Sequence, residues 1–230
     1  MSLSVIIPSR TASNLGACVR AIRAAGETCR IIVVDDFDGS TRFLLPCDEP
    51  VDWQTGVKPF IFARNINVGI RAAGDDDVIL MNDDALLQSH GGFTGMQRKS
   101  RPANQYGIIS ATTNLAGNPA QQRAPHFSLG EPGLDAPLRD EPRTVAFVCV
   151  LIPRRTIEHV GLLDENFVAY GWEDNDYCRR VRNAGLKIGI FDGCYVDHGS
   201  LRSTFRGNPR SPGNIAAGAE IYRSKWGDLL

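Results

Sequence analysis

Two acidic clusters are the residues of this chain best suited to chemistry. Residues 171–176, Gly-Trp-Glu-Asp-Asn-Asp, place three carboxylates within four positions. Residues 82–84, Asn-Asp-Asp, directly follow an apolar run. Isolated carboxylates are costly to desolvate, so neither cluster could be buried without partners. If one cluster holds a metal ion and the other accepts a proton, together they could transfer a group away from a phosphate.

Alternating strand and helix patterns in residues 1–90 would position the upstream cluster. Apolar runs predict buried strands at 3–7, 31–34 and 78–81. One helix is predicted to begin near Ser13 or Asn14, which are good N-cap residues, and another to span 63–73 before Gly74. Strands this apolar, separated by helices, are typical of a parallel sheet covered on both faces.

Polar residues follow the predicted strands at their carboxyl ends. They are Pro8, Ser9 and Arg10 after the first strand, Asp35 and Asp36 after the second, and Asn82, Asp83 and Asp84 after the third. Ligands of open α/β sheets bind in the crevice outside these ends, so we expect the three groups to converge on one edge. The chain has neither GxGxxG after the first strand nor GxxxxGK[ST], which argues against a classical dinucleotide site and a P-loop.

The second half of the chain has weaker patterns. Residues 91–143 are rich in Gly, Pro, Asn, Gln and Arg and predict a loop-rich connection with a few short elements. Beyond it we expect strands at 144–152 and 187–191, helices at 156–160 and from Glu173 or Asp174 to Gly185, and an amphipathic stretch at 215–226. The downstream acidic cluster therefore lies at the start of a helix.

Length and composition limit the class of protein. The chain has 230 residues, enough for one sizeable α/β domain, which we expect to span 1–230. A net charge of -1 gives no general attraction to nucleic acid or membranes, and no apolar run approaches the roughly 20 residues that span a bilayer. Six cysteines without a CxxC pair, and no secretion signal, indicate reduced thiols and a cytoplasmic location.

Four sequence blocks, taken together, resemble one enzyme family. They are residues 4–10 (SVIIPSR), 31–36 (IIVVDD), 67–70 (NVGI) with 80–84 (LMNDD), and 161–198 from GLLDENF through WEDND to the histidine. The chain is similar to family-2 glycosyltransferases of the GT-A type, and most closely to their rhamnosyltransferase-like branch. The resemblance implies an α/β fold with a mostly parallel central sheet flanked by helices. In it, a Rossmann-like nucleotide-sugar-binding half, 1–90, merges with an acceptor and catalytic half, 91–200.

The resemblance implies an activity as well as a fold. Enzymes of this family move a sugar from a nucleoside-diphosphate sugar to a hydroxyl group with inversion. We therefore expect a UDP- or dTDP-linked hexose or deoxyhexose donor and a Mn²⁺ or Mg²⁺ cofactor, because these ions prefer oxygen ligands and diphosphates. The acceptor stays open among a glycan, a lipid-linked sugar, a protein and a modified nucleic acid, and the oligomeric state stays open too.

The resemblance also assigns metal and nucleotide residues. Asp84 ends the family's DxD motif and is the metal candidate, and His198 matches a histidine that can complete the site. The residues assigned to the nucleotide sugar are Pro8, Ser9, Arg10, Asp35, Asp36, Asn82 and Asp83, with Arg64 as a bidentate partner of the diphosphate. The alternatives are ordinary turns at 35–36 and 82–84, a plain surface or core histidine, and a solvated arginine.

On the acceptor side, Asp174 matches the family's general base, which takes the proton of the attacking hydroxyl. Glu173 and Trp172 are expected beside the acceptor, although core packing suits Trp172 equally well. We expect Asp176 to be solvated helix surface. The helix N-terminus favours the ionised form of Asp174 and its acidic neighbours oppose it, so the direction of its pKa shift stays open.

Residues 201–230 are expected to form a basic C-terminal tail. Arg202, Arg206 and Arg210 either close over the donor phosphates as a mobile flap or belong to a disordered segment.

Three other functions compete with glycosyl transfer. A nucleotidyltransferase would bring a Gly-rich phosphate loop near its N-terminus, a non-catalytic nucleotide-sugar-binding module would not need both acidic clusters, and a nucleic-acid-modifying enzyme would need more basic surface than 199–210 offers.

Overall fold

The computed structural model describes residues 2–36, 50–124, 133, 135–167, 170–203 and 208–228. Its strands are β1 (Leu3–Ser9), β2 (Arg30–Asp35), β3 (Asp52–Thr55), β4 (Asp77–Met81), β5 (Leu86–Leu87), β6 (Tyr106–Thr113), β7 (Leu138–Asp140), β8 (Cys149–Ile152) and β9 (Lys187–Asp197). Its α-helices are α1 (Ala12–Ala24), α2 (Phe62–Ala73), α3 (Gly92–Lys99), α4 (Arg154–Val160), α5 (Glu173–Asn183) and α6 (Ser211–Trp226). Short 3-10 helices lie at Pro102–Asn104 and Pro119–Gln121.

The described strands form one sheet in the order β3-β2-β1-β4-β8-β6-β9-β5, and β7 also pairs with β9. The first half is parallel, since β1 pairs with β2 and β4, and β2 with β3. Its side chains alternate between two cores: Val5 and Ile7 face α1, whereas Ile6 faces α2. Burial on both faces explains the continuous apolar runs of these strands, and it confirms the predicted α/β architecture.

Beyond β4 the sheet becomes mixed. Strand β8 runs antiparallel to both β4 and β6, while β6 and β9 are parallel. The strand predicted at 144–152 is therefore shorter than expected, because only 149–152 pair in the sheet. Residues 144–148 instead leave the sheet and contact α5, where Thr144 Oγ1 lies 2.8 Å from Asn175 Oδ1. This segment also contacts both acidic clusters.

Strand β6 lies inside the stretch for which the sequence predicts mainly loops. All eight of its residues are buried, but polar Ser110 and Thr112 interrupt its apolar pattern. Their hydroxyls are satisfied by distant partners: Gln121 Nε2 donates to Ser110 Oγ at 2.6 Å, and Thr112 Oγ1 donates to Cys194 O at 3.1 Å. Buried polar groups need such partners, and a local pattern does not contain them.

Strand β9 is longer than the predicted 187–191 and continues to Asp197. A register shift against β6 accommodates the polar residues in its middle. Among them, fully buried Asp192 pairs with Arg123 at 2.9 Å and Arg139 at 2.8 Å. The longer strand delivers His198 to the same edge of the sheet as the end of β4.

The helices agree with the sequence pattern except at two points. Helix α1 begins at Ala12, so Asn14 lies inside it rather than at its N-cap, and its amide donates to Arg202 O at 3.1 Å. The amphipathic stretch at 215–226 is part of the longer helix α6. Arg206 lies outside the described residues. Within the part of the chain that is described, no helix combines the length and apolar character needed to cross a membrane.

The described cysteines, Cys18, Cys29, Cys149, Cys178 and Cys194, are buried free thiols. They occupy apolar positions in the two cores, as expected for cysteine acting as a small hydrophobe. Cys47 lies outside the described residues.

The packing of α2 on β1 gives a stability test. A Cβ added at Gly69 would overlap the side chain of Ile6, so Gly69→Ala should destabilise the protein by about 1–3 kcal/mol through overpacking. Gly213→Ala is the matched control, because an added Cβ there meets no described atom within 4 Å. Urea unfolding measures both variants. Equal midpoints would show that α2 does not pack closely on β1.

Candidate functional site

The carboxyl ends of β1, β2 and β4 meet at one edge of the sheet, as predicted. Ser9 Oγ donates to Asp83 Oδ2 at 2.7 Å, which joins the ends of β1 and β4. The backbone N–H of Asp36 donates to Ser9 O at 2.8 Å, which joins the ends of β1 and β2. These two hydrogen bonds fix the relative positions of three of the polar groups found in the sequence.

Asp36 is buried at this edge and has two partners that the sequence did not indicate. Its Oδ1 accepts from Asn65 Nδ2 at 3.2 Å and lies 2.9 Å from Lys58 Nζ. Asn65 also accepts from the backbone N–H of Val57 at 2.8 Å, which ties the loop after β3 to α2. Asp35 is buried beside it, paired in register with Ser9. This corner of the site therefore holds two buried carboxylates, with Lys58 paired to one of them.

Asp83 faces β1 rather than His198. Burial raises the pKa of its carboxyl group to about 6, opposed by the hydrogen bond from Ser9 and reinforced by the charge of Asp84. The backbone N–H groups of Arg10 and Thr11 also stabilise its ionised form. Asp83 thus fastens the start of α1 to the end of β4, while Asp84 is left to face the other direction.

The remaining residues assigned to the nucleotide sugar lie around this edge. Pro8 is part of β1 and pairs in register with Val34. Arg10 directly follows β1 and is exposed. Arg64 is half-buried on α2, where its Nε lies 3.5 Å from Glu165 Oε2. Its contact with a diphosphate stays a prediction.

Asp84 and His198 meet although they are far apart in sequence. His198 Nε2 lies 3.1 Å from Asp84 Oδ1, and His198 Nδ1 lies 2.8 Å from the backbone oxygen of Leu115. A carbonyl oxygen only accepts, so Nδ1 carries a hydrogen, and in the neutral ring the lone pair of Nε2 faces a carboxylate. A cation held by both groups would make this contact favourable, as would a second proton on the ring. Metal-binding histidines typically donate the N–H of their other ring nitrogen to a carbonyl or carboxylate oxygen, as His198 Nδ1 does to Leu115 O.

The donor set therefore fits a divalent ion, with few protein ligands. Among the described residues, no group of three or more His, Cys, Asp or Glu side chains is placed to hold a metal. Asn82 takes the first position of the motif, and its Nδ2 lies 3.4 Å from His198 Nε2. Magnesium and similar ions commonly bind one or two protein ligands and complete their shell with phosphate oxygens and water. A site of this kind is completed by its substrate.

The segment that leaves the sheet before β8 joins the two acidic clusters. The backbone N–H of Asn82 donates to Val148 O at 3.0 Å. The neighbouring residue, Phe147, donates its backbone N–H to the carboxylate of Asp174, which also accepts from Asn175 N at 2.8 Å. A single peptide unit thus separates the contacts of the metal motif from those of the predicted base. The sequence did not indicate these residues because their apolar pattern continues directly into β8.

Burial raises the pKa values of both carboxyl groups at the start of α5. Glu173 is only 4% exposed and accepts from Gly171 N at 2.6 Å; its pKa is raised by burial and then by the charge of Asp174. The pKa of Asp174 is also raised by burial, opposed by backbone N–H groups. Glu173 is the deeper of the two and keeps its proton longer, which leaves Asp174 as the ionised partner at neutral pH.

Glu173 is buried and accepts from Gly171 N within its own turn, and its contact with an acceptor stays a prediction. The role predicted for Asp176 needs correction. Asp176 is not solvated surface: it is fully buried, pairs with Arg180 at 2.9 Å and accepts from Trp226 Nε1 at 2.9 Å. Trp172 is partly buried and packs on Tyr222 with 5.1 Å between ring centroids. Trp172 therefore shows the core packing that was the alternative to an acceptor contact.

Tyr170 was not indicated by the sequence, although it lies next to the downstream cluster. Its ring packs on Phe62 at 4.8 Å and Phe60 at 6.2 Å, and its hydroxyl lies 3.5 Å from Asn82 Oδ1. Burial raises its pKa, as do the charges of Glu173, Asp84, Asp83 and Asp174. Tyr170, three residues before Glu173 in the chain, thus reaches Asn82 and links the downstream cluster to the upstream one.

This architecture occurs in solved structures of glycosyltransferases. A structure of GalNAc-T7 with UDP, GalNAc and Mn²⁺ aligns with a TM-score of 0.68 at 13% identity, over 96% of this chain and 48% of that chain. The catalytic domain of Drosophila β1,4-galactosyltransferase 7, in complex with xylobiose, aligns with a TM-score of 0.52 at 15% identity, over 88% of this chain and 66% of that chain. The chain has the GT-A fold.

Among the comparisons, the solved structures alone support this fold. No protein-family model matches the sequence, and no curated protein matches it. The chain spans about half to two thirds of the length of the two GT-A structures. Function depends on residues of the site rather than on the fold, so the resemblance to the rhamnosyltransferase-like branch stays a prediction.

The raised pKa of Glu173 gives a stability test that needs no substrate. A carboxyl group whose pKa rises from 4.5 to about 8 on folding binds more protons in the folded than in the unfolded state. The free energy of unfolding should therefore fall as pH rises between these values. In Glu173→Gln this loss disappears, because the amide is neutral but can still accept from Gly171 N.

We expect the variant to gain on the order of 2–4 kcal/mol relative to wild type between pH 5 and 8. Urea unfolding across this pH range measures the difference. Glu158→Gln is the control, because Glu158 has a side chain 60% exposed on α4. Parallel pH profiles for wild type and Glu173→Gln would contradict a raised pKa at Glu173.

Proposed function

We propose that this protein is a metal-dependent, inverting glycosyltransferase that moves a sugar from a nucleoside-diphosphate sugar to a hydroxyl acceptor. One observation carries the proposal: Asp84 and His198 lie 3.1 Å apart, and the neighbouring Asn82 bonds to Val148 O, next to the residue that donates to the carboxylate of Asp174. A diphosphate site and a base for the acceptor are thus neighbours. The GT-A fold and the UDP and Mn²⁺ bound by GalNAc-T7 support the same donor class.

Asp84 and His198 would hold Mn²⁺ or Mg²⁺. A divalent ion bound there would offset the negative charge that develops on the departing diphosphate. Leu115 O keeps the proton on His198 Nδ1, so that Nε2 is available as a ligand. Asn82 adds no charge to this pair, and its side-chain amide orients towards His198 and Tyr170.

Asp174 would act as the general base in this scheme. Its carboxylate takes the proton of the acceptor hydroxyl while the hydroxyl oxygen attacks the anomeric carbon. A pKa raised to about 6 makes Asp174 a stronger base than an ordinary aspartate and leaves it ionised at neutral pH. Attack from the side opposite the diphosphate needs only this one base, which agrees with inversion.

The residues at the end of β2 would hold the nucleoside. Asp35 and Asp36 can accept from a base N–H or a ribose hydroxyl, and Lys58 lies 2.9 Å from Asp36 Oδ1. We propose a UDP- or dTDP-linked hexose or deoxyhexose as the donor.

Two alternative functions would give different results in an activity assay. A nucleotidyltransferase would release pyrophosphate from a nucleoside triphosphate, and a non-catalytic binding module would bind donors without turnover.

The metal pair should control nucleotide affinity. Calorimetric titration of UDP and dTDP, with Mn²⁺ and with chelator, should show metal-dependent binding to the wild type. Asp84→Ala and His198→Ala should each weaken it by about 10- to 100-fold, because each removes one of two protein ligands. His159→Ala, an exposed histidine of α4, is the control. Unchanged affinity in both site variants would remove these residues from the metal site.

Asp174→Asn should separate binding from turnover. We expect transfer to fall by about 10²- to 10⁴-fold, because the amide cannot accept the proton, while the affinity for nucleotide and Mn²⁺ stays within about two-fold of wild type. In the wild type, kcat/KM should fall as pH decreases through about 6, the pKa of Asp174. Loss of donor affinity, with turnover otherwise intact, would show that Asp174 binds the donor instead.

A further inference from the structure

Helix α6 lies directly against the turn that precedes the base. A Cβ added at Gly218, in the middle of α6, would lie 2.5 Å from Gly171 O and 3.0 Å from Trp172 Cδ1. A Cβ added at Gly171 would lie 3.5 Å from Ile215 Cα, one turn earlier on α6. At Gly218 the backbone of α6 therefore approaches the turn more closely than a side chain would permit, whereas a Cβ at Gly171 would make an ordinary contact. Close contact between α6 and the turn depends on Gly218.

The turn itself has an unfavourable backbone conformation. Gly171 has φ 117° and Trp172 has φ 74°. For a bulky residue such as tryptophan a positive φ is a true outlier, and it persists only when surrounding contacts hold it. The contact that holds Trp172 is its ring packing on Tyr222 of α6, 5.1 Å away. Tyr222 is fully buried there.

The other end of α6 is fastened to α5 by a buried carboxylate. Asp176 accepts from Trp226 Nε1 at 2.9 Å, and its Oδ1 lies 2.8 Å from Lys225 Nζ. Arg180 holds the other oxygen at 2.9 Å. Lys225 also reaches Asp164, at 2.6 Å, in the segment before the turn. The charge of Asp176 is therefore well compensated, and its partners from α6 join that helix to the first turn of α5.

A second layer of contacts covers the outer side of this junction. Arg179 of α5 stacks over the ring of Trp226, with 4.8 Å from its guanidinium carbon to the ring centroid. The same guanidinium pairs with Asp228 at 2.6 Å. These exposed contacts contribute little individually, but they continue the interface to the end of α6. The segment from Ile215 to Asp228 thus contacts α5 and the turn that precedes α5.

This interface connects directly to Asp174. The backbone N–H of Asp176 donates to Trp172 O at 2.9 Å, so the positive-φ turn starts the hydrogen bonding of α5. Asp174 lies between these two residues. Any shift of the Gly171–Trp172 turn must therefore move Asp174 relative to Phe147, which donates to its carboxylate.

We propose that α6 positions the catalytic carboxylate, with Gly218 and Asp176 as positioning residues that hold the Gly171–Trp172 turn and, through it, Asp174. This role rests on the proposed function for its catalytic consequence, since it assumes that Asp174 is the base. It differs from the basic flap predicted for the tail, because the contacts of α6 are with the base helix. Displacements of about 1 Å at a reacting group can cost about 100-fold in rate, so a helix that fixes this turn affects turnover without touching substrate.

Two glycines of the same helix provide a matched pair of variants. Gly218→Ala introduces the Cβ that would meet Gly171 O, whereas Gly213→Ala introduces one that meets no described atom within 4 Å. Both variants replace a glycine of α6 by alanine, Gly213 in its first turn and Gly218 in its interior. We expect Gly218→Ala to lower kcat by about 10- to 100-fold with the Mn²⁺-dependent affinity for UDP unchanged. Gly213→Ala should resemble the wild type in both measurements.

Amide hydrogen exchange of the peptide covering 170–176 tests the positioning independently of turnover. Exchange should become about 10-fold faster or more in Gly218→Ala, because the bond from Asp176 N to Trp172 O is loosened, and stay unchanged in Gly213→Ala. Trp226→Phe is a milder second variant that keeps an aromatic ring but removes the N–H donor to Asp176. It should change exchange and kcat in the same direction by smaller factors.

The outcomes distinguish this role from the proposed function. Unchanged exchange in a folded Gly218→Ala and in Trp226→Phe would overturn the positioning role, whatever the activity. Faster exchange with wild-type kcat would also overturn it, because the turn would then not control the base. Faster exchange in a protein that binds UDP and Mn²⁺, but whose wild type transfers no sugar, would leave α6 holding the turn and would refute the proposed function instead.

Discussion

The backbone of Phe147 and Val148 is the constraint on which the site depends. Val148 O accepts from the N–H of Asn82, and the N–H of Phe147 donates to Asp174, so two adjacent residues set the spacing between the two acidic clusters. The segment can do this because it leaves the sheet just before β8, whose pairing with β4 fixes its position. A strand continued through 144–148 would have used the same backbone groups for the sheet.

Gathering many carboxylates at one edge costs desolvation energy, and the protein meets this cost in two ways. Asp83 and Asp36 accept hydrogen bonds that also join secondary-structure elements. Glu173 and Asp174, at the start of α5, have pKa values raised by burial, as Asp83 also has. The first group holds the architecture, and the second retains the reactivity that a general base needs. All of these residues are carboxylic acids, so the two groups differ in their hydrogen-bond partners rather than in residue type.

The C-terminal helix completes this arrangement from outside. Its contacts with the Gly171–Trp172 turn are made by a glycine, an aromatic ring and a buried ion pair, none of which touches the metal motif. The site is thus assembled from three parts of the chain that are far apart in sequence: the strand ends of the first half, the segment before β8, and the junction of α5 with α6. The GT-A fold brings them to one edge.

The sequence by itself determined the parallel first half, the convergence of polar groups at its strand ends and the helix that begins at Glu173. These features follow from local periodicity and from the fixed direction of parallel strands. Tertiary structure alone decided that β6 is a buried strand despite Ser110 and Thr112, that His198 faces Asp84, and that Asp176 is an anchor rather than surface. Each of these depends on a partner many residues away, and a local pattern contains no information about which distant group will satisfy a buried polar atom.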